Sequence, residues 1–279
     1  MTWTFTSDLA AYRAAAGPAV AARPVSNTLL LTVTDGLERR GPAAYGSGAP
    51  LFGWWTGADG AVAGALLCTP PFPMVLGVVP QEAVRALGDA LVTEPLLAGI
   101  PGFNARRPDT EALAGAWGRP GRIAEDLRLY RLAGLVAPDP APAGRARPAT
   151  GADLPLLREW TEAFHVELGI ARPASEASLR DRLSYGGTLL WEHAGTPVSL
   201  ASFSRPIGAA SRVGPVYTPP KERGRGYAAG VTHAASEAAY AAGASEVLLF
   251  TDLANPISNG VYQRLGYTPV EDRAVVVPV

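Results

Sequence analysis

The 279-residue chain is poor in several of the residues on which protein chemistry most often depends. Its one cysteine, Cys68, excludes an intrachain disulfide framework and a cysteine-rich zinc site. The apolar run Ala65-Leu66-Leu67 before it reads as a buried strand, which makes the thiol a packing residue rather than a nucleophile. Lysine occurs once, as Lys221, among many arginines. No apolar run approaches the ~20 residues that cross a bilayer. The start, Met1-Thr2-Trp3-Thr4-Phe5, has no basic stretch followed by an apolar one, so no signal peptide is expected. A formal net charge of -1 gives no broad electrostatic footprint for nucleic acid or an anionic membrane. The expectation is a cytoplasmic protein with no nucleic-acid partner, no membrane partner and no bound metal.

What the chain does have is apolar residues, 48% of the total, enough for a packed core. It also has a faint internal repeat. Residues 133–150, AGLVAPDPAPAGRARPAT, lack helical or strand periodicity, and proline blocks both elements, so the centre of this stretch reads as a linker. Before it, Gly53-Trp54-Trp55 leads through Asp59-Gly60 to Ala61–Cys68, then through Thr69-Pro70-Pro71 to Met74–Val79. After it, Thr188–Trp191 leads through Ala194-Gly195 to Pro197–Phe203, and Arg212–Tyr217 then runs into Thr218-Pro219-Pro220. Each stretch reads as a strand meander with tight glycine turns, followed by a helix over Gln81–Val92 or Ala228–Ala242. The reading is two copies of one α+β unit; the alternative is two unrelated segments with similar punctuation. Residues 1–137 form the first unit, 138–147 the linker and 148–279 the second. Trp54, Trp55, Phe72 and Met74 are candidates for a surface between the halves or for ordinary core.

The copies differ at one point. The second carries Lys221-Glu222-Arg223-Gly224-Arg225-Gly226-Tyr227-Ala228 between its strand and its helix; the first has Pro80-Gln81-Glu82-Ala83-Val84-Arg85. A strand, a glycine-rich turn and a helix N-terminus aim free backbone amides and the positive end of the helix at one place, which suits phosphate or pyrophosphate. Lys221, Arg223 and Arg225 add positive charge. Gly214-Pro215 inside the preceding strand predicts a bulge and a strand that splays from its neighbour.

Arg223-Gly224-Arg225-Gly226-Tyr227-Ala228 resembles the signature of the GNAT N-acetyltransferases: Gln or Arg, two residues, Gly, one residue, then Gly or Ala. Downstream, Glu246–Thr251 reads as an apolar strand. Asp252 to Tyr267 then resembles the family's second hallmark, an Asn, a short helix bearing a Tyr, then Gly and an aromatic. The resemblance spans about Ala146 to Pro269. It implies an α+β fold of two tandem GNAT-like units, each a mixed, mostly antiparallel sheet flanked by helices, with a first half that lacks the cofactor loop.

The resemblance also implies an acyltransferase that uses acetyl-CoA or another acyl-CoA as co-substrate and a small-molecule amine as acceptor. The backbone of Val216, Tyr217 and Thr218 would meet the pantetheine and the thioester carbonyl, and Arg223 to Ala228 would hold the pyrophosphate. Asn255 would anchor pantetheine or cap a helix, and Tyr262 would be the general acid. Glu162, His165 and Glu167, on a helix over Asp153–Leu168, are the titratable candidates for the base, with Glu162 or His165 preferred. His233 reads as structural, and Glu192 and His193 as solvated turn residues. A monomer with pseudo-dimeric halves and a homodimer both remain open, as do a non-catalytic acyl-CoA-binding protein and a protein N-acetyltransferase.

Overall fold

One order of elements occurs twice along the chain. The first run is β1 (Thr2–Thr6), α1 (Leu9–Ala21), α2 (Thr28–Arg40), β2 (Leu51–Thr56), β3 (Val62–Cys68), β4 (Met74–Leu76), α3 (Gln81–Thr93), β5 (Phe103–Arg106), α4 (Arg107–Ala116) and β6 (Gly121–Leu132). The second is β7 (Arg145–Pro148), α5 (Leu154–Glu167), α6 (Glu176–Leu183), β8 (Thr188–His193), β9 (Thr196–Phe203), β10 (Ala210–Tyr217), α7 (Tyr227–Ala241), β11 (Glu246–Asp252), α8 (Pro256–Arg264) and β12 (Tyr267–Pro278). This computed structural model describes residues 1–169 and 174–279. The repeat expected from the strand-and-turn punctuation is therefore present over the whole set of elements, and the fold is α+β with mixed, mostly antiparallel sheets.

The local signals that build it are legible one by one. Asp8 caps α1 by accepting from the amides of Ala10 and Ala11. Asp59 accepts from the amide of Ala61 at 3.0 Å and Gly60 adopts φ +79°, which closes the β2–β3 hairpin. Ala194 and Gly195, at φ 49° and 76°, make the two-residue turn between β8 and β9, where His193 faces Thr196. Cys68 is buried at the end of β3 and burial pushes its thiol up to about 11, which suits packing and not nucleophilic chemistry.

Contacts divide the chain into two units that do not follow the sequence halves. Unit 1 comprises Met1–Leu129, Thr251–Ala254 and Pro269–Val279. Its strands run in the order β1-β2-β3-β4-β5-β12, with β4 and β5 parallel and the other pairs antiparallel. The C-terminal strand of the second run thus completes the sheet that the first run begins. One layer of core holds Trp55, Met74, Leu87, Phe103 and Leu113; another holds Tyr12, Leu30, Phe52 and Leu67.

Unit 2 comprises Tyr130–Phe250 and Asn255–Thr268, with strand order β11-β10-β9-β8-β7. Val213, Val231, Ala235, Leu249 and Tyr262 pack on one side of the sheet, and Leu157, Trp160, Leu190 and Tyr217 on the other. Successive strand side chains point to opposite faces, so β10 contributes to both layers.

The stretch read as a linker is not a free spacer. Arg145–Pro148 forms β7, paired antiparallel with β8. Upstream of it, Ala143 O accepts from Trp191 Nε1 at 2.9 Å, and Pro142 lies against Gly226 and Gly230 of the following helix. Glu192 is not a solvated turn residue either: its carboxylate takes the Nε of Arg147 at 2.7 Å.

Arg147 also forks onto both oxygens of Asp153 at 2.8 Å, and Asp153 accepts from the amide and hydroxyl of Thr150. The Arg147 hydrogen bonds hold the Asp153 carboxyl down at about 2, below the unfolded value near 3.8. A depressed carboxyl stabilises the fold above its unfolded pKa and loses that effect as pH falls toward the folded one. We expect Asp153→Asn to cost about 2 kcal/mol at pH 7. The gap between the two proteins should close between about pH 4 and pH 2, as read from denaturant unfolding at each pH.

Candidate active site

The expected site residues gather at the end of β10 and the start of α7. β10 and β11 run parallel and pair at Ala210↔Glu246, Ser211↔Val247 and Arg212↔Leu248. Beyond Arg212, β10 continues to Tyr217 with no further pair to β11 among the described residues. The register with β9 shifts between Val213 and Val216, where Gly214 takes φ +145° and Pro215 has no amide hydrogen. The bulge and the splay expected from Gly214-Pro215 are both present. They leave one edge of β10 unpaired, facing an opening wedge.

Ser199 fixes the end of that strand. Its hydroxyl donates to Tyr217 O at 3.0 Å and lies 2.8 Å from the Thr218 hydroxyl. The Tyr217 ring turns toward α5, against Trp160 and Phe164 with centroids 6.1 and 6.4 Å away. Val216 points the other way, into the layer that contains Tyr262.

The loop from Arg223 to Gly226 then reaches α7. Gly224 and Gly226 both sit at φ +77°, and Gly226 occupies the position before the helix without a side-chain cap. From Gly224 through Ala229, no backbone amide has an acceptor among the described residues. Buried or exposed, such donors require a partner, and at a helix N-terminus they share the positive end of the dipole. A run of this kind is the type of backbone that suits an anion. Close packing holds it: a Cβ on Gly230 would lie 2.8 Å from Pro142 Cγ and 2.9 Å from the Trp191 ring.

The side chains of the loop behave differently from expectation. Arg223 and Arg225 do not point freely at the anion position. Arg223 binds Thr218 O and the Glu167 carboxylate, and Arg225 binds Glu222 at 3.0 Å. Only Lys221, exposed in the preceding turn, has no ion-pair partner among the described residues. Tyr227 is buried beside the His193 ring, 5.8 Å between centroids, and Ala228 lies in the first turn of α7.

Tyr262 is on the inner face of α8, 9% exposed, with its ring 6.1 Å from that of Tyr267. Burial pushes its phenol up to about 12. The Tyr267 hydroxyl is satisfied by Ser236 at 2.7 Å, whereas the Tyr262 hydroxyl has no hydrogen-bond partner among the described residues. A core tyrosine with its hydroxyl capped by backbone is therefore not what stands here. Asn255 caps α8, with Oδ1 accepting from Ser258 N at 3.0 Å. Glu162 is exposed on α5 and His165 is half-buried one turn further on. His233 lies 3.4 Å from Glu237 one helical turn away, in keeping with a structural part.

The corresponding place in the first run is shorter, and several of its amides are taken. Only residues 77–80 separate β4 from α3, against 218–226 between β10 and α7. The amide of Gly77 donates to Ala65 O, that of Val78 to Asn27 Oδ1, and those of Ala83 and Val84 to Pro80 O. The splay is sealed too. Arg273, 1% exposed, donates Nε to Asn104 Oδ1 and Nη2 to Asn104 O and Leu76 O, with Glu271 at 2.9 Å as counter-ion. Its guanidinium crosses β5 to reach the end of β4.

A model of the acetyltransferase (GNAT) family matches residues 154–267. Those residues are a GNAT acetyltransferase domain. The match covers the splayed strand, the amide loop and the Tyr262 helix, and it makes the chain an acyltransferase. Solved structures resemble the chain over almost its full length. A GCN5-related N-acetyltransferase from Sphaerobacter thermophilus has 18% identity and a TM-score of 0.62, with 98% of this chain and 94% of that one covered. A GNAT-family acetyltransferase from Colwellia psychrerythraea has 12% identity and a TM-score of 0.62, covering 99% and 98%. A GCN5-related N-acetyltransferase from Kribbella flavida has 20% identity and a TM-score of 0.58, covering 91% and 95%. At these identities the likeness is one of fold. Among curated proteins, none matches the chain.

The spacing of the signature predicted the loop but not what surrounds it. Pro142, Trp191 and the sealing residues Asn27 and Arg273 come from distant positions, and no local pattern marks them; Glu167, a titratable candidate by its place on the entrance helix, is instead tied to Arg223. If the loop amides of the GNAT domain hold the anion, one equivalent of coenzyme A should bind per chain in titration calorimetry. Gly226→Val puts a β-branched residue at φ +77° with its Cβ about 3.3 Å from Pro142. Affinity should fall by about tenfold or more, a loss of ~1.4 kcal/mol.

Proposed function

We propose that this chain transfers an acyl group, acetyl in the first instance, from acyl-CoA to the amine of a small molecule, by direct attack of the amine on the thioester. The observation that carries the reading is the run of unpartnered amides from Gly224 through Ala229, beside a strand edge left open by the splay of β10 from β11. A diphosphate needs many donors and little else; a chain of amides such as pantetheine needs a strand edge. Both are offered within a few residues of each other. The residues present fit the group.

When bound, acyl-CoA supplies an activated thioester. The protein's part is then to bind, to orient and to move protons. The amides of the loop and the N-terminal dipole of α7 hold negative charge. The edge of β10 at Val216 and Thr218 orients the pantetheine arm, and an amide near Val216 or Tyr217 polarises the carbonyl. Asn255 spends its carbonyl on the helix cap and keeps its side-chain NH2 for a ligand. The Tyr262 phenol holds a proton and has no protein acceptor for it among the described residues, which suits donation to a departing thiolate.

An alkylammonium must lose a proton before it attacks. Glu162 and His165, on the helix whose Trp160 and Phe164 stand against Tyr217, are our candidates to receive it, directly or through water. The absence of a marked acidic stretch disfavours a basic protein substrate. No helix among the described residues is long and apolar enough to cross a membrane, which accords with a cytoplasmic enzyme.

Two outcomes test the reading. In a thiol-release assay with acetyl-CoA and a panel of primary amines, Tyr262→Phe should lower kcat by about 100-fold. Its dissociation constant for coenzyme A should stay within about twofold of the unaltered protein. Turnover equal to that of the unaltered chain would remove the tyrosine from the mechanism. Because the phenol stays protonated up to about 12, it adds no falling limb to the pH–rate profile through neutral and moderately alkaline pH. The rate should rise with pH as the acceptor amine or the base loses its proton, and level off without a decline up to about pH 10. A decline below pH 9 in steady-state assays would contradict the assignment.

A further inference from the structure

Arg223 opens the anion loop, yet its guanidinium is committed elsewhere. Nε donates to Thr218 O at 2.9 Å, at the end of β10, and Nη2 lies 2.7 Å from each oxygen of Glu167. Glu167 is the last residue of α5. That helix carries Trp160 and Phe164, whose rings stand against Tyr217. One side chain therefore joins the loop, the strand that faces the thioester and the helix on the acceptor side.

The placement is not explained by stability. A carboxylate in the last turn of a helix faces the negative end of the dipole and is disfavoured there. A half-exposed ion pair, 49% and 40% accessible, adds little to folding in compensation. Nor is the pair needed to hold the diphosphate, since the donors for that are the amides that follow Arg223. What the bridge does provide is a stiff path: a planar fork with fixed geometry between two elements that are otherwise linked only through packed side chains.

We propose that Glu167 is a positioning residue: through Arg223 it fastens the end of α5, and with it the Trp160–Phe164 wall, to the loop that takes the diphosphate. Filling the loop then steadies the acceptor side. This rests on the reading of the loop as a coenzyme A site. The coupling is a difference in free energy between loop-empty and loop-filled states, so it is visible in the ligand-induced change and not in the resting fold.

The test is hydrogen–deuterium exchange on the full chain, with and without saturating coenzyme A, for the unaltered protein and Glu167→Gln. Gln keeps the shape of the side chain and removes its charge. In the unaltered protein, coenzyme A should slow exchange at the N-terminal turn of α7 and, by about fivefold or more, at Phe164–Glu167. In Glu167→Gln the α7 protection should persist and the α5 protection should vanish. The dissociation constant should stay within about twofold, and the melting temperature without ligand should be unchanged. Arg223→Gln should lose the α5 protection in the same way, and the double variant should lose no more than either single one. Equal α5 protection in Glu167→Gln and the unaltered chain, or α7 protection without any α5 protection in the unaltered chain, overturns the proposal and leaves the coenzyme A site standing. No protection at either place overturns both.

Discussion

The proposed site of this molecule depends on backbone donors that have no acceptor among the described residues. Amide hydrogens are obligatory hydrogen-bonding groups, and a helix start leaves its first few without intrahelical acceptors. Here the run from Gly224 through Ala229 is left so, at the positive end of a helix. Two glycines, both at φ +77°, shape the loop that leads into the helix. Gly230 lets Trp191 and Pro142 press against the helix from behind. The arginines of the loop turn outward to acidic partners, so the site is built from dipoles rather than from full charges. Dipoles fixed by the fold need no reorganisation when an anion arrives.

The first run of elements shows what the same architecture becomes when the turn is shortened and several of those donors are consumed. Its strand-to-helix turn is short, and Asn27, Ala65 and Pro80 supply acceptors for its amides. Its parallel strands are bridged by a buried arginine, where those of the GNAT domain part. Burial lowers the pKa of Arg273, and the desolvation of its charge is offset by Glu271 and by carbonyl acceptors on two strands. Order of elements is shared, while an unbroken run of six amides without acceptors among the described residues is not. Chemistry follows the donors and not the topology.

Much of the fold was legible because it is local. Strand alternation, the Asp59-Gly60 and Ala194-Gly195 turns, and the Gly214-Pro215 interruption each act within a few residues, and each produced the element or the distortion expected of it. The division into units was less legible. A proline-rich stretch signals that helix and sheet ladder are blocked, but not whether the chain is free. Residues 142–143 are held by packing and a Trp191 hydrogen bond, Arg145–Pro148 pairs as a strand, and the last strand of the chain joins the sheet of the first unit. Each outcome depends on residues far away in sequence.

The candidate site divides along the same line. The sequence alone determined where an anion loop could form, because glycine spacing governs backbone conformation and a helix start leaves its amides free. Its resemblance to the GNAT hallmarks also marked Tyr262 and Asn255. Tertiary structure alone decided that the Tyr262 hydroxyl has no partner among the described residues while that of Tyr267 does, and that Arg223 faces Glu167. It alone decided that the first run is sealed by a side chain from the far end of the chain. Backbone geometry is written in neighbouring residues; the pairing of a polar group is settled by whatever the folded chain brings within 3 Å of it, about the length of a hydrogen bond.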